Sequence, residues 1–115
     1  MERLTRRADF LAAASGSKVP AAGFVLQARE RDVDGPARVG FTVTKKIGNA
    51  VERNRIRRRL REIVRLSGGI EMLPGHDYVL IGRRTALDLP FTKMTEDLSQ
   101  ALKRAHKTGK ANNER

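Results

Sequence analysis

The sequence predicts a small α+β domain with elements in the order α-β-β-α-β-α, and three observations carry that reading. At 115 residues the chain is long enough for one hydrophobic core and too short for two. Apolar residues recur at helical spacing in three stretches and at strand spacing in three others. Glycine, proline, asparagine and aspartate cluster between those stretches, where turns are needed. The arrangement expected is a two-layer sandwich, written α-β-β-(β)-α-β-α with one optional short strand. Residues 1–115 form a single domain without internal repeats, and about 107–115 make a polar, basic tail expected to fray.

The first helix is predicted over about Arg6 to Ala14, with Thr5 as N-cap, Gly16 as the stop and Leu4, Phe10, Leu11 and Ala14 on its apolar side. A short strand near Val19 to Ala22 is the optional element. Phe24 to Arg29 reads as a strand, Asp34-Gly35-Pro36 as a turn, and Arg38 to Thr44 alternates Val39, Phe41 and Val43 with small residues. The pair is predicted to be an antiparallel hairpin. Asn49 then caps a helix, with Glu52 three residues later in a capping-box arrangement and Ser67-Gly68-Gly69 as its end. Within it Ile56, Leu60, Ile63 and Val64 form one stripe at 100° per residue, which packs on the sheet. Beyond the Pro74-Gly75 loop, the unbroken apolar run Tyr78 to Ile81 is the pattern of a strand buried on both faces, hence central. Pro90 precedes a last helix over about Phe91 to His106, where Phe91, Met94, Leu98, Ala101, Leu102 and Ala105 recur at helical spacing.

Charge points to the partner. Lys plus Arg number 24 against 13 Asp plus Glu, a net +11, and the segment 45–65 alone holds +7 of it. On the capped helix Asn54, Arg58, Arg61 and Arg65 fall opposite the apolar stripe, with Arg53 and Arg57 on one flank and Arg55 on the other. Guanidinium forks grip phosphate through paired hydrogen bonds, so a polyanion is the expected ligand.

Other classes are excluded by what the residues lack. Without cysteine there is neither a disulfide framework nor a thiolate metal site, and a cytoplasmic setting is expected. No apolar run approaches the ~20 residues of a membrane span, and Met1-Glu2-Arg3 leads into no signal-type hydrophobic region. His76 and His106 have no ligand spacing and no adjacent nucleophile, so neither catalytic residues nor a metal site are expected on the protein. Its glycines form no phosphate-cradling loop, which argues against a small-molecule substrate such as a nucleotide cofactor. No helix-turn-helix or heptad segment suggests a DNA reader, and five dispersed aromatics are too few for a stacking platform. Phosphate-directed contact remains, and composition alone would equally suit a ribosomal RNA-binding protein.

The run Lys45-Lys46-Ile47-Gly48-Asn49-Ala50-Val51-Glu52-Arg53-Asn54-Arg55 and its continuation to Glu62 are more specific. This segment resembles the signature of the bacterial ribonuclease P protein subunit, and the likeness extends to Asp9-Phe10, Arg38 to Phe41 and Asp77 to Arg84. The resemblance implies a fold like the second domain of ribosomal protein S5 (S5-domain-2-like), with a left-handed β-α-β crossover that general handedness rules would not suggest. It implies a protein cofactor of a ribozyme endoribonuclease, whose catalytic RNA removes the 5′ leader of precursor tRNA using magnesium bound mainly by that RNA. The implied partners are therefore the catalytic RNA and precursor tRNA. Carried over position by position, Lys45, Lys46, Asn49, Arg53, Asn54, Arg55, Arg57, Arg58, Arg61 and Arg65 are implied to bind RNA. Phe10, Val25, Gln27 and Thr42 are implied to line a leader cleft with Arg83 at its rim. Ala14 and Gln27 stand where relatives often carry aromatics, which implies less base stacking, and Thr85 replaces a frequent proline.

Overall fold

The computed structural model describes residues 2–31, 34–68 and 71–113, with side chains throughout except at 67–68 and 108–113. In chain order the elements are β1 (Glu2–Arg3), α1 (Arg7–Ala14), β2 (Ser17–Pro20), β3 (Phe24–Glu30), β4 (Arg38–Thr42), α2 (Ala50–Ile63), β5 (His76–Gly82) and α3 (Phe91–Asn113). Short helical turns lie at Lys45–Ile47, Val64–Gly68 and Arg84–Leu87. The strands make one sheet in the order β1-β4-β5-β3-β2.

That order overturns the predicted hairpin. β3 and β4 do not pair with each other; β5 lies between them, antiparallel to β3 and parallel to β4. The unbroken apolar run of β5 needs a strand on either side, and the register shows what sets its position. Asp77 stands opposite Arg29 on one side and Arg38 on the other. Its carboxylate is fully buried, accepting from Arg31 at 2.6 Å and from the Arg38 fork at 2.8 and 2.7 Å. Burial alone would raise the Asp77 pKa, but the hydrogen bonds from Arg38 and Arg31 outweigh it and hold the carboxyl below its ordinary value.

The sheet has two unequal faces. Val39, Tyr78, Leu80, Phe24 and Leu26 belong to the main core, together with Ile56, Leu60 and Ile63 of α2 and Met94, Leu98 and Leu102 of α3. Gly82 makes the close approach possible, since a Cβ there would stand 2.6 Å from Ile56 Cγ2. These two layers are the sandwich the sequence predicts. On the reverse face α1 adds a partial third layer, in which Leu4, Ala13 and Val79 are buried with Phe10 and Ile81 packed against them.

Three local expectations change. Arg6, not Thr5, occupies the N-cap position of α1, with no side-chain cap, and Leu11 is 61% exposed while Ala13 is buried. Phe10 and Ala13 set this phase because Phe10 must lie over Gly40, where a Cβ would come within 2.5 Å of its ring. The α2 path runs as predicted to Gly68, ending in a π-helical turn, while Gly69 lies outside the described residues. α3 continues to Asn113 rather than ending near His106, because extending a docked helix needs no new nucleation. Helical backbone thus runs through 107–113, and 114–115 lie outside the described residues. No helix among the described residues is long and apolar enough to cross a membrane.

Candidate nucleic-acid interface

α2 begins where its sequence says it should. The Asn49 side chain accepts from the Glu52 N–H at 2.9 Å, and Glu52 accepts in return from the Asn49 N–H at 3.1 Å, closing the capping box. Ile56, Leu60, Ile63 and Val64 are buried, so the helix presents its remaining faces outward.

The basic residues divide by what they touch. Lys45 and Lys46 are exposed on the turn that precedes α2. Asn54, Arg55 and Arg58 are exposed, and among the described residues neither Arg55 nor Arg58 meets a carboxylate. Arg53 and Arg57, the flanking pair, brace the loop instead. Arg53 donates to the Gly48 carbonyl at 3.1 Å, and Arg57 to the Val43 carbonyl at 3.3 Å and to Asn54 at 3.1 Å. Arg65 is held by Glu62 at 2.5 Å, which lowers the Glu62 pKa. Arg61 differs from the pure outward reading: its guanidinium lies 5.9 Å from the centroid of Phe41 on β4 while remaining exposed. Burial and then the like charges of Arg3 and Arg57 push its pKa down. Arg3 and Arg57 are therefore near enough to Arg61 for their like charges to disfavour its charged form.

Sequence reasoning missed Arg84. From the turn after β5 it donates to the Ile47 carbonyl at 2.8 Å and to Glu52 at 2.7 Å, tying the Lys45–Ile47 turn to the start of α2. That hydrogen bond, followed by the one to the Asn49 backbone, holds the Glu52 carboxyl below its ordinary value. A Cβ at Gly48 would stand 2.5 Å from Glu52 Oε1 and 2.8 Å from Arg84 Nη1, so the two side-chain ends close over this glycine. Nothing local signals this contact, which joins positions 37 apart in sequence.

The proposed leader-cleft residues come together on the reverse face. Val25 pairs with Ile81, Gln27 with Val79 and Thr42 with Ile81, so all three project to the side covered by α1. Val25, Thr42 and Phe10 are partly exposed, and Arg83 is exposed just beyond the strand end. Gln27 is only 6% exposed, on the β3 strand that α1 packs against. Leu4, Gly40, Val79 and Ile81 belong to the same face and were legible only once the strand order was known.

The chain is similar to known proteins over most of its length. Residues 1–106 match the Ribonuclease P family. A protein of Gluconacetobacter diazotrophicus named ribonuclease P protein component is 56% identical over 104 residues, covering 90% of each chain. The RNase P protein of Thermotoga maritima superposes with a TM-score of 0.73 at 33% identity, covering 90% of this chain and 97% of that one. That of Staphylococcus aureus gives 0.74 at 30% identity, with coverages of 91% and 95%. With the outward arginines of α2, the β4–α2–β5 crossover and these likenesses together, the chain belongs to the ribonuclease P family as its protein component, the subunit that serves tRNA 5′ processing.

Proposed function

We propose that this protein docks on the catalytic RNA of ribonuclease P through the outward side of α2 and its preceding turn, and holds the precursor tRNA leader on the α1 face. The observation that carries this is the division of α2 into an apolar inward stripe and an outward guanidinium array without neutralising acids at Arg55 and Arg58. Lys45, Lys46, Arg55, Arg58 and Arg61 supply phosphate contacts. Asn49, Arg53, Asn54, Arg57 and Arg65 border them, with Arg53 and Arg57 shaping the loop as well. On the other face Phe10, Val25 and Thr42 offer an apolar and hydroxyl floor for an extended strand, Arg83 a cation at its rim, and Gln27 support beneath α1.

The RNA performs the phosphodiester hydrolysis. Magnesium ions held mainly by the RNA are the proposed cofactor, and the protein by itself requires none. Glu52 and Glu62, the acids on the basic helix, are each engaged by an arginine, a donor set that suits an RNA-held ion better than a protein-held one. The cytoplasm, where precursor tRNA is processed, is the proposed setting.

The test adds the protein to a bacterial ribonuclease P RNA at low magnesium with labelled precursor tRNA. Stimulated release of an intact leader supports this function, whereas binding without stimulation would point to a ribosomal RNA-binding role. If about 6 phosphates are neutralised along a single strand, log K for the leader falls against log salt with a slope near −4. A leader affinity insensitive to salt would refute phosphate-led binding.

A further inference from the structure

Between α2 and the start of α3 lies a groove of about 470 Å³, lined by Arg55, Arg58, Arg59, Glu62 and Phe91. Its volume falls in the roughly 300–1,000 Å³ range of ligand-holding clefts. Arg59 donates to the Leu89 carbonyl, and its guanidinium sits 4.5 Å from the centroid of the Phe91 ring. The ring and the cation are therefore stacked before anything binds, and Phe91 is still 37% exposed. Glu62 is already engaged by Arg65 through both oxygens, so the one acid of the lining does not neutralise the three arginines.

We propose that this groove receives one unpaired nucleotide of an RNA strand, its base against the Arg59–Phe91 stack and its phosphate between Arg55 and Arg58. The inference rests on the reading that the α2 side of the protein meets RNA, and it names a pocket within that surface. A phosphodiester supplies the negative charge that Arg55 and Arg58 lack, and a nucleobase supplies the flat π surface that a guanidinium–phenyl stack accepts. A duplex cannot do both, because its bases are stacked on each other and its faces are hidden. The occupant is thus a bulged, looped or terminal nucleotide.

Because the sequence contains no tryptophan, Phe91→Trp places a single fluorophore in the groove. Titrating that variant with oligoadenylate and with an abasic oligomer of equal phosphate number separates base stacking from charge. The expected result is fluorescence quenching by the base-bearing strand, with affinity about 5- to 150-fold above the abasic one. Phe91→Leu keeps apolar volume without the ring and should lose that preference, whereas Phe91→Tyr should keep it. Equal affinity for the two oligomers in the Phe91→Trp variant, or an unchanged preference in Phe91→Leu, overturns the pocket. Should Phe91→Leu fail to fold, as seen in its thermal transition, the Phe91→Trp titration decides alone. Binding of the unaltered protein to ribonuclease P RNA is measured in parallel. If that binding fails, the underlying RNA-docking reading falls, whereas intact binding with no base preference removes only the pocket.

Discussion

Arg38 and Arg58 carry the same guanidinium in opposite settings. Arg38 lies at the end of the sheet with Arg31, where the buried Asp77 carboxylate takes hydrogen bonds from both and Asp9 adds a longer contact at 3.4 Å to Arg38. Arg58 stands on α2 with no carboxylate among the described residues. The difference shows that cation count says little about binding. An arginine matched to an acid holds the fold together, and an arginine left unmatched is available to a polyanion.

The widest separation is expected from Asp77→Ala. Removing the buried carboxylate leaves the partly buried Arg31 without a carboxylate and Arg38 with only the longer Asp9 contact, at a cost of about 3–5 kcal/mol in stability measured by urea unfolding. The molecules that remain folded should bind RNA with little change, because Asp77 lies away from the α2 face. If stability is intact and RNA binding is abolished, the two regions are not separate in the way described.

Acid sharpens the same point. The Asp77 pKa is lowered in the folded protein, so its stabilising contribution is present above the ordinary carboxylate range and is lost as pH falls through the folded value. Asp77→Asn should flatten the acid limb of the stability curve, as read by thermal melts between pH 5 and pH 2. An unchanged acid limb would assign that limb to other carboxylates.

At the unmatched end, Arg58→Ala and Arg61→Ala should weaken assembly with the catalytic RNA. For every phosphate no longer neutralised, the slope of log K against log salt should become shallower by about 0.7 to 0.9. Thermal stability should hold for Arg58→Ala and fall slightly for Arg61→Ala, whose guanidinium covers the Phe41 ring. Equal losses of stability and binding in Arg58→Ala would move it to the structural class.

His106 gives a smaller effect. Its Nε2 lies 2.7 Å from the Tyr78 hydroxyl, whose pKa burial pushes up to about 12. Burial and then the nearby His76 lower the His106 pKa, against an opposing pull from Glu71. The neutral ring is the one that fits, so this contribution is present above the ordinary histidine value and lost as pH falls through the folded one. Protection factors against hydrogen exchange in the middle of α3 should fall on going from pH 8 to pH 5, and His106→Gln should remove that fall. The smallest change is expected for Arg84→Ala. Its ion pair is exposed, so global stability should barely move, while exchange at the Ile47 and Gly48 amides should rise as the turn is released.

Much of the interface was legible because helix periodicity is local. Asn49 and Glu52 start α2, Ile56, Leu60 and Ile63 name its buried side, and the outward place of Asn54 and Arg58 then follows by rotation, whereas Arg55 reads as a flank residue and its exposure came from the structure. The common face of Val25, Gln27 and Thr42 followed equally from alternation along each strand. The depth of Gln27 did not, because it depends on α1 crossing from elsewhere. Arg53 and Arg57 read as flank residues, and their carbonyl partners in the preceding loop became visible only when the loop had a shape.

From its sequence alone this protein was determined to be an α+β chain with a capped helix, greasy on one side and cationic on the other, since each of those properties is set within a few residues. Tertiary structure decided that β5 enters between β3 and β4, that Asp77 thereby claims Arg31 and Arg38, and that Arg84 reaches the start of α2. Those outcomes join residues tens of positions apart. Short-range periodicity carries no information about which distant strand or side chain will arrive, whereas burying a charge or an apolar strand on both sides forces the choice.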